Sequence, residues 1–138
     1  MESLVRLLHE GGYSCVVRNG DSVHTFTKRG VADLLCIYED TPGLLDGADI
    51  ADKVVGKGAA ALMVLGKVSR VYTDVVSESA LALLEKHGVS VTFGQITQRI
   101  MNRAKDGLCP VESLCYDLDS PSDMLMEIRN FIKDKKNG

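Results

Sequence analysis

No apolar run in this chain is long enough to cross a bilayer: the longest, Ala59 to Leu65, is seven residues, where a membrane helix needs about twenty. There is no excess of either charge. Sixteen Lys and Arg stand against nineteen Asp and Glu, a net charge of −3 spread along the chain, so nothing predicts phosphate-driven binding to bulk nucleic acid. The one dense basic cluster, Lys133, Lys135 and Lys136, reads as a solvated helix end whose cations suit the helix dipole. The four cysteines, Cys15, Cys36, Cys109 and Cys115, contain no CxxC pair, and His9, His24 and His87 lie far from them. A zinc site built from neighbours in sequence is therefore not expected, and neither is any other cofactor. The start, Met1-Glu2-Ser3-Leu4, has no basic flank followed by a long apolar stretch, so the expected location is the cytoplasm. Internal repeats and low-complexity linkers are also missing.

What is present fits one domain over residues 1–138, with 45% hydrophobic and 25% charged residues, in the ordinary range for a globular α/β chain. Leu4, Val5, Leu7 and Leu8 recur at helical spacing over Glu2 to Glu10, and Gly11-Gly12 ends the helix. Two β-rich runs, Tyr13–Val17 and Ser22–Thr27, flank Asn19-Gly20, a strong hairpin signal. A second helix is expected over Gly30 to Asp40. A brief extended entry, Gly47 to Ala51, should then lead into a helix opened by Asp52, Lys53 and Lys57 and running through the Ala-rich stretch to Leu65. Val68–Val75, Ser77–His87 and Val89–Phe93 read as a β–α–β unit with parallel strands. Thr97–Ala104 and Pro110–Leu114 are short helical pieces, and a C-terminal helix covers about 120–135, with Ser120 as its N-cap and Pro121 in its first turn. Cys15 and Cys36 sit in apolar runs and are expected in the core.

Three motifs in order carry a resemblance: Asp52-Lys53-x-x-Gly56-Lys57-x-Ala59-Ala60, then Ser77-Glu78-x-Ala80-Leu81-x-x-Leu84, then Asn102-Arg103 followed by Cys109-Pro110-x-Glu112. Over about 16–118 the chain resembles a prokaryotic family, a domain of unknown function placed among proteins of cytidine deaminase-like fold. The resemblance implies a three-layer α/β/α sandwich with a mixed sheet, an N-terminal helix and hairpin, and an extra C-terminal helix. True deaminases hold zinc through a His- or Cys-Ala-Glu motif at the helix after the hairpin and a Pro-Cys-x-x-Cys motif at the helix after the next strand. The matching places are expected at Ile50-Ala51-Asp52-Lys53 and Val76-Ser77-Glu78-Ser79, which contain no histidine or cysteine. Zinc-dependent deamination is not expected.

The candidate ligand-binding residues are Asp52, Lys53, Lys57, Ser77, Glu78, Asn102, Arg103 and Glu112. Lys53 and Lys57, one helical turn apart, would present cations at a helix start, where the dipole also favours an anion. The plainer alternative leaves both lysines solvated and Asp52 favouring the helix N-terminus. Gly56-Lys57-Gly58 is not a P-loop, because Gly58 replaces the Ser or Thr that would hold magnesium; the glycines read as close packing positions. Ser77 and Glu78 would face Asp52 across one cleft, or Ser77 is simply an N-cap. Arg103 could clamp an anion, or pair with Glu112. Lys28-Arg29-Gly30 is a weaker anion candidate. The leading reading is a zinc-free domain binding a small anionic or nucleotide-like ligand, in a regulatory capacity. A metal-free enzyme using Asp52 as acid–base or Cys109 as nucleophile stands beside it, as does a homo-oligomeric interaction module.

Overall fold

Asn19-Gly20 turns the chain back on itself as the hairpin signal requires. In the computed structural model, which describes residues 1–27, 31–98 and 110–137, β1 (Cys15–Asn19) pairs antiparallel with β2 (Ser22–Phe26), and Gly20 takes φ +59° in the turn. Helix α1 (Glu2–Glu10) precedes the hairpin and α2 (Ala32–Asp40) follows it. The rest alternates: β3 (Asp49–Val55), α3 (Lys57–Leu65), β4 (Arg70–Ser77), α4 (Glu78–Lys86), β5 (Ser90–Thr97), then α5 (Pro110–Cys115) and α6 (Pro121–Asn137). The five strands form one mixed sheet in the order β2-β1-β3-β4-β5. β1 and β3 are antiparallel, whereas β3, β4 and β5 run parallel, as the β–α–β reading predicts.

Side chains alternate between the two faces of each strand. Val16 and Ala51 meet Leu4 and Leu8 of α1 on one face. On the other, Val17, Ile50 and Val71 pack with residues of α2, α3, α4 and α6 in the main core. The first helix is also tied down by a polar contact, since His9 Nε2 lies 2.7 Å from Asp74 Oδ1 and the Tyr72 hydroxyl donates to the same oxygen at 2.7 Å. Among the described residues the sheet is therefore covered on both sides, with α1 the one helix on the thinner side.

Three expectations fail. The predicted helix opening at Asp52 is instead the second half of β3: Val54 and Val55 are β-branched and continue a central strand paired on β4, and helix formation waits for the extended Gly56. β5 likewise runs to Thr97, where a short helix was predicted to begin; the remainder of that predicted helix lies outside the described residues. Cys15 is buried as expected, but Cys36 is exposed on α2, where its thiol lies 3.6 Å from Asp40 Oδ2. Gly58 is a close packing position, but against other helices and not against the sheet as expected. A Cβ there would stand 2.5 Å from Val111 Cγ1 and 3.3 Å from Ile128 Cδ1, so α3 packs against α5 and α6 too closely for any side chain.

A carboxylate clamps three strands at the other end of the sheet. Asp49 of β3 accepts from Arg18 of β1 at 3.0 Å and from Arg70 of β4 at 2.8 and 2.6 Å, and the two guanidinium groups hold its carboxyl below the usual range, the Arg70 hydrogen bond most strongly. A lowered folded-state pKa means stability that is present above 3.8, the value of the free carboxyl, and is lost as pH falls through the lower folded value. Asp49→Asn is expected to cost about 1–2 kcal/mol at pH 7, with the cost shrinking in acid; urea titrations at pH 7 and pH 3 check this.

Candidate functional site

β3 outruns its antiparallel neighbour. Cys15, the first residue of β1, pairs with Asp52, and the Lys53 amide still reaches the Ser14 carbonyl at 3.1 Å, but beyond that level β3 continues with no strand on that side among the described residues. Val54 is 45% exposed there. The parallel ladders skip a pair at the same level: Asp52 pairs with Thr73 and Val54 with Val75, with no pairing between Lys53 and Asp74, or between Asp74 and Gly94 one strand over. The buried positions change parity across this break, from Ile50 and Val71 to Val55 and Val76. Gly94 suits it, since a Cβ there would come within 3.0 Å of the Asp74 carbonyl oxygen. The result is a step in the sheet, a shallow notch in its hydrogen-bonded edge beside Asp52, midway along β3.

Asp52 points from this notch toward the main core side, level with Cys15 and the fully buried Thr73. Asp52 as a residue is half-buried. Loss of water raises its pKa from 3.8 to about 7, against the lowering influence of hydrogen bonds from the Val54 and Lys53 amides and from the Cys15 thiol. The Val54 amide lies 3.4 Å from Oδ1. Cys15 is pushed the same way, well above the usual thiol range, first by burial and then by the charges of Asp52 and Asp33. Cys15 is therefore a protonated donor to Asp52 near neutrality and not a thiolate nucleophile. Asp33 stands in the first turn of α2, so that turn overlooks the pair.

The helices that follow the hairpin and the parallel strands start differently. α2 and α3 have Val31 and Gly56 at their N-caps and no side-chain cap, while α4 is capped by Ser77, whose hydroxyl accepts from the Ala80 amide at 3.2 Å. Uncapped first-turn amides are available to an acceptor.

The candidates named from sequence are not gathered as expected. Asp52 and Lys53 lie on a strand, not at a helix start, and Lys53 is exposed. Lys57 is only 9% exposed; its ammonium donates to the Tyr116 carbonyl at 2.8 Å, fastening α3 to the end of α5 instead of facing solvent. Ser77 is buried and serves as the N-cap, and Glu78 is exposed in the first turn of α4. Ser77 lies four residues beyond Thr73, the β4 partner of Asp52, or about 13 Å along the strand, so Asp52 and Ser77 do not share a cleft. Lys28, Arg29, Gly30, Asn102, Arg103 and Cys109 lie outside the described residues, and so does the side chain of Glu112. No group of three metal-ligating side chains occurs among the described residues. The helix after the hairpin is α2 and the helix after the next strand is α3, so the two helix starts that the resemblance points to read Val31-Ala32-Asp33 and Gly56-Lys57-Gly58. They replace the places expected at 50–53 and 76–79, and contain no histidine or cysteine. Cys15 and Asp33 were missed because their nearness to Asp52 comes from strand pairing and helix placement over long sequence separations.

The profile of a domain of unknown function, DUF1893 (TM1506), matches residues 3–132. The chain belongs to the DUF1893 family. The match is wider than the stretch of about 16–118 that carries the motifs, and takes in α1 and most of α6. The fold is similar to the crystal structure of the DUF1893 family protein TM1506 from Thermotoga maritima, with a TM-score of 0.86 and 22% identity over 94% of this chain and 87% of that one. No curated protein matches this DUF1893 chain in sequence. Among the described residues no helix is long and apolar enough to cross a membrane.

Proposed function

We propose that this DUF1893 chain is a zinc-free domain of cytidine deaminase-like fold that binds a small anionic or nucleotide-like ligand in the notch beside Asp52. The observation that carries the reading is a carboxyl poised near neutrality, paired with a thiol donor, in a step of the sheet overlooked by the first turn of α2. In its protonated form Asp52 donates to an acceptor oxygen, and the uncapped amides at the start of α2 supply further donors to the same kind of group. The order of elements supports a deaminase-like plan, on which Asp33 and the Lys57-Gly58 pair would stand where deaminases carry their metal-binding motifs.

Thermal-shift titration with nucleoside monophosphates and inorganic phosphate tests this. Stabilisation is expected at pH 6, to weaken as pH rises past 7, and to disappear in Asp52→Ala. No stabilisation by any of these probes, or stabilisation that Asp52→Ala leaves unchanged, contradicts the reading.

A second reading, self-association, is favoured by β5. This edge strand, Ser90–Thr97, has no charged residue and exposes Phe93 and Ile96; native edges are commonly protected by charges. Two copies could pair edge to edge without repulsion. Light scattering is expected to give a dimer that Ile96→Lys dissociates, and a monomer at working concentration removes this reading.

A further inference from the structure

Three helices of this chain end in the same turn, and one of them departs from its usual residue. After α1, α3 and α4 the chain enters the left-handed region at Gly12 (φ +68°), Lys67 (φ +65°) and Gly88 (φ +78°), closed by matching backbone bonds from Tyr13 to Leu8, Val68 to Met63 and Val89 to Leu84. Glycine is favoured at this position because it has no Cβ to crowd the neighbouring carbonyl. Lys67 is the one non-glycine residue with positive φ among the described residues. Its side chain is thus kept where the backbone disfavours one.

That side chain lines a cleft of about 450 Å³ beside the chain's entry into β3, walled by the apolar surfaces of Tyr38 and Leu65 and edged by Glu39, Asp46, Lys67 and Arg129. Arg129 of α6 reaches Glu39 of α2 through Nε alone, at 3.1 Å, with both side chains nearly half exposed. Its terminal nitrogens and the Lys67 ammonium have no protein partner among the described residues. An exposed pair of this kind is weak and readily exchanged. The rim presents two cations and two carboxylates around a small apolar wall, which suits a ligand with one charge of each sign and disfavours a polyanion.

We infer that this cleft binds a free α-amino acid with an apolar side chain, its carboxylate on Lys67 and Arg129 and its ammonium on Glu39 and Asp46. The site is separate from the notch beside Asp52 and does not depend on it. The test is a thermal-shift titration with L-leucine, L-methionine and L-phenylalanine, with their amides, which lack the carboxylate, and their hydroxy acids, which lack the ammonium. At least one amino acid raises the midpoint while its amide and hydroxy acid do not. Lys67→Gly raises the ligand-free midpoint by roughly 3 °C, from relief of the left-handed conformation, yet weakens amino-acid binding about tenfold or more. Arg129→Met weakens it similarly with no change of backbone. A panel without effect, equal effects of the amides or hydroxy acids, or binding that survives both substitutions overturns the inference. A lower ligand-free midpoint in Lys67→Gly also overturns it, because the lysine would then be kept for the helix C-terminus and not for a ligand.

Discussion

Asp52→Asn is expected to match the natural chain in stability at pH 4 and to exceed it by about 4 kcal/mol at pH 8. Burial raises the Asp52 pKa from 3.8 to about 7, so between those values the folded chain holds a proton that the unfolded chain has released. Stability therefore falls as pH rises from about 4 to 7, and above 7 the chain carries the full cost of a charge in a poorly solvated place. Asparagine cannot ionise and keeps an acceptor for the Cys15 thiol, so it removes the fall. Asp49 titrates below this range and in the opposite sense, so it does not mask the effect. Urea unfolding at pH 4, 6 and 8 checks the prediction, and parallel pH profiles for the two proteins would contradict it. A natural carboxylate that lowers stability at neutral pH is the kind of residue a binding site retains.

Lys57→Ala is expected to destabilise by about 3 kcal/mol. The lysine stem is buried at the start of α3, and its ammonium satisfies the Tyr116 carbonyl at 2.8 Å. Alanine removes the packing of the stem and takes a charged donor from that carbonyl. Lys57→Met keeps most of the stem and loses only the donor, so it should cost about half as much. Equilibrium unfolding of both variants separates packing from hydrogen bonding. A cost below about 0.5 kcal/mol for Lys57→Ala would mean that the side chain is solvated.

The elements with local signals were legible in the sequence. α1 is bounded by its periodicity and Gly11-Gly12, the hairpin by Asn19-Gly20, and α4 by Ser77 at one end and Gly88 at the other; each signal acts within a few residues. The boundary between β3 and α3 was not legible, because Asp52-Lys53 resembles a helix start and only pairing with β1 and β4 makes it strand. The site was legible in part. Asp52 stood out as an acid beside two lysines at an expected helix start, but its partner Cys15 is 37 residues away and is brought there by strand register. Lys57 was read as a ligand-binding or solvated cation because its partner is a backbone carbonyl 59 residues on, which no side-chain motif reveals. The left-handed Lys67 left no signal either: Gly66 before it looks like an ordinary helix stop, and only the backbone shows that the next residue takes the glycine's usual place.

The most direct measurement of the central claim is the carbon-13 carboxyl shift of Asp52 followed by nuclear magnetic resonance from pH 4 to pH 9, with and without a nucleoside monophosphate. The account predicts a midpoint near 7 in the free protein, moved upward when the anionic ligand binds and favours the protonated acid. A midpoint in the ordinary carboxylate range, or one near 7 that the nucleotide does not move, would contradict it.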